Sequence, residues 1–221
     1  MTRFIVIEGI DGTGKKTQFD LLVKYLRDDL KKPVLELDFP RYGTSGKYVG
    51  HYLNGDYGEY VAPELASILY AFDRWKAKPD IDQFIAKHPD GFIVSNRYTG
   101  SNLAHQGGKI SGVKQRRDFY KEIMDLEFNQ FGVPRPDLNF VLLLPEDAAQ
   151  KNVDKKATRG YTNQKRDLHE KDSDHLHRAA TAYRELVKLY PDDFVAIDCW
   201  DPVLGQMRTI EDIQGEIRER L

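Results

Sequence analysis

Seven consecutive residues near the N-terminus have the pattern of a phosphate-binding loop. Residues 9–15 read Gly-Ile-Asp-Gly-Thr-Gly-Lys; they follow the apolar run 4–7 and open a helix-patterned stretch, 15–30. Glycines let the backbone turn its N–H groups toward an anion, and a helix N-terminus adds about half a positive charge. Lysine at this place reaches the outer phosphates of a nucleoside triphosphate. The candidate ATP-binding residues are Gly9, Ile10, Asp11, Gly12, Thr13, Gly14, Lys15, Lys16 and Thr17.

One position departs from the pattern of such loops. The residue after the lysine is expected to be Ser or Thr, whose hydroxyl binds Mg²⁺, and here it is Lys16. Thr17 does not replace that hydroxyl, because successive helical side chains point about 100° apart. The loop alone therefore does not define how the metal is held.

Basic residues elsewhere in the chain have the chemistry that phosphoryl transfer requires. Positive charge must surround the moving phosphoryl group, since negative charge spreads over its oxygens. The segment 155–171 is highly charged and poor in aliphatic residues. It is interpreted either as a surface loop or as a basic lid that closes over ATP and excludes water. The candidate phosphate-binding residues are Arg41, Arg74, Arg97, Arg159, Lys165 and Arg166.

The elements that position these residues alternate along the chain. Apolar runs bounded by turn residues predict five strands at 4–8, 34–39, 92–95, 138–144 and 194–198. Helix-period stretches predict helices at 17–30, 63–87, 113–131, 172–190 and 209–221. Alternation of this kind predicts an α/β fold, a parallel sheet covered by helices on both faces. Ligands of such sheets bind beyond the carboxyl ends of the strands, and Arg41 and Arg97 follow two of these ends.

Length and composition limit the function further. The chain has 221 residues, enough for one domain over 1–221, and its net charge is only −2 although 31% of its residues are charged. This balance argues against a nonspecific nucleic-acid or membrane-surface binder, which normally carries a basic excess. Cys199 is the only cysteine and is predicted to be a core residue in a reducing compartment. With no leader and no apolar stretch of ~18 residues, the expected location is the cytoplasm.

Two of the six histidines lie close together and raise the question of a metal site. His175 and His177 follow Asp174 in a predicted helix. The apolar stripe of that helix is formed by other residues, so both histidines are expected on its solvated polar face rather than as zinc ligands.

Several stretches together resemble thymidylate kinases, a family of P-loop nucleoside monophosphate kinases. They are residues 4–15, Phe39-Pro-Arg-Tyr-Gly43, Asp73-Arg74, Arg97-Tyr98 with Ser101-Asn102, Pro136-Asp-Leu-Asn-Phe140 and the charged segment 155–171. They extend over nearly the whole chain. The resemblance implies a three-layer P-loop NTPase fold with a five-stranded parallel sheet and a short basic lid, at about 155–171.

The resemblance also implies roles for residues around the acceptor nucleotide, dTMP. Asp11 looks like the family's carboxylate that receives the sugar 3′-hydroxyl. Phe39 and Tyr70 would flank thymine, Arg74 would bond its O4, and Asn102 would read the base edge. Arg41 and Arg97 would hold the dTMP phosphate, and Arg159 and Arg166 would act from the lid. The candidate dTMP-binding residues are Asp11, Phe39, Arg41, Tyr42, Tyr70, Arg74, Arg97, Ser101, Asn102 and His105. The candidate catalytic residues are Lys15, Arg97, Asp11, Arg159 and Arg166.

Further departures from the family pattern concern the metal and the sugar. Asn96 replaces an aspartate whose charge would help to position Mg²⁺ through its waters, which leaves Asn96 as an indirect metal candidate. His105 replaces a tyrosine that crowds the ribose 2′ position, so discrimination between deoxyribose and ribose is open. Gly12 stands beside Asp11 where an arginine could act, so the resemblance assigns the catalytic arginines to the lid.

The resemblance implies that the chain phosphorylates dTMP to dTDP for dTTP synthesis, with ATP as donor and Mg²⁺ as cofactor. It also implies a homodimer formed through helix faces. Two alternatives stay open: a deoxynucleoside monophosphate kinase of broader specificity, and a nucleotide-binding protein weakened by Lys16 and Asn96.

Overall fold

A five-stranded parallel sheet forms the centre of the molecule in a computed structural model, which describes residues 1–58, 60–154 and 174–221. The strands are β1 (Arg3–Glu8), β2 (Val34–Asp38), β3 (Phe92–Asn96), β4 (Leu138–Leu143) and β5 (Phe194–Asp198). Their spatial order is β2-β3-β1-β4-β5, and every neighbouring pair is parallel. The five predicted strands are confirmed to within one residue at either end.

Helices connect the strands. The described helices are α1 (Lys15–Lys24), α2 (Lys47–Asn54), α3 (Pro63–Lys87), α4 (Thr99–Gly107), α5 (Val113–Met124), α6 (Glu146–Asp154), α7 (His175–Leu189) and α8 (Ile210–Glu219). Helices α1 and α5 continue as π-helical segments, Tyr25–Asp29 and Asp125–Gln130, which explains why the predicted helices extend beyond the α-helical parts. A small hairpin, β6 (Trp200–Asp201) and β7 (Gln206–Met207), follows β5.

Three of these helices, α2, α4 and α6, are not among those predicted from the sequence. Helices α2 and α4 have eight and nine residues, and both contain glycine. Glycine and short length weaken the helical pattern, so tertiary packing stabilises both. Helix α4 matters most for function, because it begins just after β3 and carries Ser101, Asn102 and His105.

Alternate residues of β1 contact two different hydrophobic cores. Ile5 and Ile7 pack into a core with Leu22 and Tyr183, whereas Phe4 and Val6 pack into one with helix α3 residues such as Ile81. Side chains of a strand alternate between the faces of its sheet, so the two cores lie on opposite faces. The predicted three-layer arrangement is confirmed. Cys199 is a free, fully buried core thiol, as predicted.

The register brings three strand ends to one edge of the sheet. Ile7 and Asp38 both pair with Asn96, and Glu8 pairs with Val141. Residues that follow β1, β2 and β3 therefore surround a common space. No described helix is long and apolar enough to cross a bilayer.

Candidate active site

The phosphate loop follows β1 with a backbone that requires glycine. Gly9, Gly12 and Gly14 have φ values of 137°, 89° and 88°. A Cβ atom at Gly12 would lie 2.1 Å from the carbonyl oxygen of Ala149, and one at Gly9 would lie 2.7 Å from that of Leu142. Both the dihedral angles and the close backbone contacts exclude larger residues at Gly9 and Gly12. Gly14 is the N-cap of α1, so the loop ends at a helix N-terminus that favours an anion.

Lys15 is held inside this loop. Its Nζ donates a hydrogen bond of 2.8 Å to the carbonyl of Ile10, which also accepts one of 2.9 Å from the Thr13 hydroxyl. The Asp11 carboxylate lies 3.8 Å from the same Nζ. The ammonium group therefore lies inside the loop, where this motif is expected to bind the outer phosphates of a nucleoside triphosphate. Ile10 itself is a buried core residue that acts through its carbonyl.

The two residues after Lys15 differ in their position. Lys16 lines the pocket next to the loop and forms an ion pair with Asp20 one turn along α1. Thr17 is exposed and does not line that pocket. The geometry agrees with the sequence argument that Thr17 does not take over the missing hydroxyl.

A pocket of about 330 Å³ opens beside the loop and joins the predicted donor and acceptor residues. The predicted residues among its walls are Asp11, Gly12, Gly14, Lys15, Lys16, Phe39, Tyr42, Tyr70, Asn96, Arg97, Ser101, Asn102 and His105. Asp38, Pro40, Leu53 and Gln106 complete the lining. The structure thus gathers residues from six helices and strands, and from the loops between them, around one space.

Arg97 links the phosphate loop to helix α4. Its Nη2 donates to Asp11 at 2.6 Å, and its Nη1 donates to the Ser101 hydroxyl at 3.0 Å. Burial lowers the pKa of Arg97 and the Asp11 carboxylate raises it; the net direction is upward. Its backbone has a φ of 67°, a left-handed conformation that is strained for a residue with a side chain. The surrounding hydrogen bonds stabilise this strained conformation and orient the guanidinium toward the pocket.

A buried carboxylate, Glu8, fixes the start of α4. It accepts hydrogen bonds from the backbone N–H groups of Tyr98 and Ser101, at 2.8 and 2.9 Å. The hydroxyls of Ser101 and Tyr183 donate to its other oxygen, at 2.6 and 2.8 Å. Four neutral donors thus satisfy an anion that no water reaches.

Arg74 does not lie in the pocket, although it was predicted to bond the base. It is 2% exposed, and its Nε and Nη2 donate to the two oxygens of Glu127 at 2.5 and 2.6 Å. Burial lowers the pKa of Arg74 and Glu127 raises it, with a net upward shift. The Nε and Nη2 atoms are thus committed to a buried bidentate pair. Arg74 is not among the residues that line the pocket, and its contact with O4 stays a prediction.

The guanidinium of Arg41 also forms hydrogen bonds with groups that do not line the pocket. Its Nε donates to the buried Asp73 at 3.0 Å, and its Nη2 donates to the Ser45 hydroxyl and to the Asp73 carbonyl, each at 2.8 Å. Its side chain is one quarter exposed. Of the two arginines predicted to hold the dTMP phosphate, the structure places Arg97 at the pocket and Arg41 beside it.

The amide of Asn102 has a fixed orientation. Its Nδ2 donates to the Ser67 carbonyl at 3.1 Å and to Glu127 at 3.2 Å. Its Oδ1 is buried with no hydrogen-bond partner among the described residues, as are both polar atoms of the Gln106 side chain. Buried polar atoms require partners, and Asn102 and Gln106 both line the pocket, where a bound ligand could supply them.

His105 contacts both Arg97 and His175. Its Nε2 lies 3.2 Å from Nη1 of Arg97, and its Nδ1 lies 3.0 Å from Nε2 of His175. Burial first, and then the nearby charge of Arg97, lower the pKa of His105 well below its ordinary value. The prediction that His175 is solvated is wrong, because its ring stacks on that of His105 and is buried. His177 is exposed, as predicted, and lies 2.7 Å from Glu146.

Asn96 lies next to a carboxylate at the pocket rim. Its Nδ2 donates to Asp38 at 2.9 Å, whereas its Oδ1 is buried without a partner among the described residues. Burial raises the pKa of Asp38; the hydrogen bond from Asn96 and the charges of Lys16 and Arg97 act in the opposite direction. Oxygen atoms of this kind are the ligands that Mg²⁺ and its waters prefer. The residues present therefore fit an indirectly held Mg²⁺.

Sequence reasoning missed the second layer of the site. Glu8 falls inside the stretch 4–15 and Asp73 inside the pair Asp73-Arg74, but neither was assigned a role from the sequence. Glu127 falls in none of the quoted stretches, and its spacing to Arg74 and Asn102 follows no recognisable pattern. The expected lid, with Arg159 and Arg166, lies outside the described residues.

The comparisons with known proteins agree with one another. The family model described as thymidylate kinase matches residues 7–210. The thymidylate kinase of Mycobacterium tuberculosis is 30% identical over 193 residues, which cover 82% of this chain and 84% of that protein. A probable thymidylate kinase of Methanocaldococcus jannaschii is 29% identical, with 97% and 93% covered.

Solved structures show the same fold. The crystal structure of thymidylate kinase from Ehrlichia chaffeensis matches with a TM-score of 0.68 and 17% identity, covering 99% of this chain and 98% of that one. The structure of the Candida albicans thymidylate kinase matches with a TM-score of 0.69 and 20% identity, covering 99% and 90%. With the sheet order above, they establish a P-loop NTPase fold.

Proposed function

The chain belongs to the thymidylate kinase family, and we propose that its phosphate loop and the acceptor residues around Arg97 transfer a phosphoryl group between nucleotides bound in one pocket. The reaction is the phosphorylation of dTMP to dTDP with ATP. The assignment of this site rests on one observation: Lys15 of the loop and Arg97 after β3 line the same pocket. Donor and acceptor phosphates held there would lie end to end, which in-line transfer requires.

The groups around the transferred phosphate have distinct tasks in this proposal. Lys15 neutralises charge on the outer donor phosphates, and Arg97 does so on the acceptor phosphate. Asp11 orients Arg97 and accepts a hydrogen bond from the sugar 3′-hydroxyl. Arg159 and Arg166 of the lid act from the ATP side. These groups position and stabilise charge, because phosphoryl transfer leaves little covalent work to the protein.

The base would lie against Phe39 and Tyr70, with its edge toward Asn102. Because both hydrogens of the Asn102 amide are used by Ser67 and Glu127, the atom left for a ligand is an acceptor, Oδ1. Thymine carries a donor, N3–H, at the centre of its edge, whereas cytosine carries an unprotonated acceptor there. Asn102 therefore favours thymine. Arg74 contributes indirectly, since it holds the carboxylate that fixes this amide.

Mg²⁺ is the proposed cofactor, held through water by Asn96 and its surroundings. When bound, the ion would neutralise the negative charge that develops on the phosphates during transfer. Lys16 occupies the position of the usual hydroxyl ligand, so this chain relies on groups beyond the loop.

A homodimer is the proposed assembly. Leu65, Ile68 and Trp75 on α3 are spaced as one helical stripe and are each about half exposed. An apolar stripe of this kind supports contact with a second copy through helix faces, and light scattering would measure the mass of the assembly. We also propose the cytoplasm as the location, since the one cysteine is a buried free thiol.

A panel of nucleoside monophosphates tests the function. Each is mixed with ATP, Mg²⁺ and the protein, and ADP release is measured. We expect the highest kcat/KM with dTMP and a much lower value with dCMP, because its N3 has no hydrogen for Asn102. Preference for dCMP or a purine monophosphate would contradict the proposal, and ATP binding without turnover on any acceptor would identify a binding protein instead.

A further inference from the structure

Two neighbouring strands end with side chains that act as a pair. Asp38 is the last residue of β2 and Asn96 the last residue of β3, and the two are paired across the strands. Both line the pocket together with Gly14, Lys15 and Lys16. The Asn96 amide donates to Asp38 at 2.9 Å. The pair therefore lies beside the loop that would hold the donor phosphates, at the edge of the sheet where ligands bind.

The hydrogen bond fixes what each partner offers to the pocket. Since Nδ2 of Asn96 is used by Asp38, the atom left on Asn96 is Oδ1, which has no partner among the described residues. Within the same part of the chain, the bond from Asn96 is the one side-chain hydrogen bond of Asp38. Both groups thus present oxygen atoms, and one of the two carries the negative charge.

The charge balance is the reason for assigning a function to Asp38. An aspartate at position 96 would place one negative charge at this edge, and Asn96 places none. Asp38 restores that charge one strand away. The cations Lys16 and Arg97 are near enough to act on the Asp38 carboxylate. A carboxylate beside an amide oxygen is a hard-oxygen donor set that orders the waters of a small divalent cation.

We infer that Asp38 supplies the carboxylate that holds the waters of the nucleotide-bound Mg²⁺, with Asn96 orienting it. This inference rests on the proposed ATP site but not on the identity of the acceptor. Asp38 is a positioning residue here, since it reaches the metal through water and does not contact the reacting atoms.

The test measures metal binding rather than turnover. Mn²⁺ takes the place of Mg²⁺, and its affinity for the complex of the protein with ADP is determined by electron paramagnetic resonance. Loss of an outer-shell partner costs about tenfold to 100-fold in metal affinity, and we expect a loss of that size for Asp38→Asn. Glu36→Gln is the matched control, because Glu36 lies two residues earlier in β2, is exposed and pairs with Arg27; it should bind Mn²⁺ as the unmodified chain does.

The exchange of the two residues sharpens the test. In the double variant Asp38→Asn with Asn96→Asp, the carboxylate moves to β3 and the pair keeps its charge, so we expect Mn²⁺ affinity to return to within about threefold of the original. Binding of ADP without metal, followed with a fluorescent analogue, should not change in any variant. Undiminished Mn²⁺ affinity in Asp38→Asn would overturn the inference. A protein that fails to phosphorylate dTMP yet shows this Mn²⁺ pattern would refute the proposed function and keep the inference.

Discussion

The phosphate loop and the acceptor wall are built in opposite ways. The loop, residues 9–15, has short-range contacts of its own, those of Thr13 and Lys15 with the Ile10 carbonyl, besides its bonds to Arg97. The acceptor wall, formed by Phe39, Tyr70, Asn102 and His105, depends on contacts between distant residues: Asn102 is held by Glu127, 25 positions away, and Glu127 by Arg74, 53 positions away. Damage to the loop should therefore affect chemistry, whereas damage behind the wall should affect folding as well.

The largest effect is expected on the unfolding free energy, when the Arg74–Glu127 pair behind the acceptor wall is disrupted. Glu127→Ala leaves the Arg74 guanidinium buried without its partner, and loss of one member of a buried pair costs about 3–5 kcal/mol in unfolding free energy. Urea denaturation followed by circular dichroism measures this loss. Glu122→Gln, an exposed change on α5, is the control and should stay within about 0.5 kcal/mol of the original. Equal stability of the two variants would show that the wall does not depend on this pair.

The second-largest effect is expected on kcat, from a change in the phosphate loop that leaves the fold intact. Lys15→Ala removes a charge aimed at the transferred phosphoryl group, and loss of one such group costs about 10²–10³-fold in kcat, or about 2.7–4 kcal/mol of transition-state stabilisation. Steady-state kinetics with ATP and dTMP measures it. Lys24→Ala, at the exposed end of α1, is the control with unchanged kcat. A Lys15→Ala enzyme with near-normal kcat would contradict the assigned role.

The same contrast explains what could be predicted from the sequence. The loop was predictable because glycines with positive φ and a lysine at fixed spacing are local requirements. The sheet was predictable because each strand is an apolar run between turn residues. The positions of Arg74 and His175 were not, since their environments are created by Glu127 and His105 far away in the sequence. From the sequence alone, a charged or polar residue is predicted to be exposed to solvent unless its buried partner is known.

The smallest effect concerns the pH dependence of stability, and it acts on the wall through His105. Its pKa in the folded protein is well below the ordinary value of about 6.5, because the ring is buried and faces Arg97, His175 and Lys15, with Asp11 opposing them. Below pH 6.5 the unfolded chain binds a proton that the folded protein does not. The unfolding free energy therefore falls as the pH falls, by up to about 1.4 kcal/mol per pH unit from this group.

Urea denaturation at pH 5.0, 5.5, 6.0, 6.5 and 7.5 isolates this contribution. The variants His105→Gln and His105→Tyr both lack the titrating ring but differ in size, so each should show a shallower dependence than the original protein below pH 6.5. Above that pH the difference between each variant and the original should be constant. If both variants kept the original slope, the proton uptake would belong to another group. If the slope changed only in the tyrosine variant, packing rather than the charge of the imidazole would be the cause, and the contact with Arg97 would lose its electrostatic role.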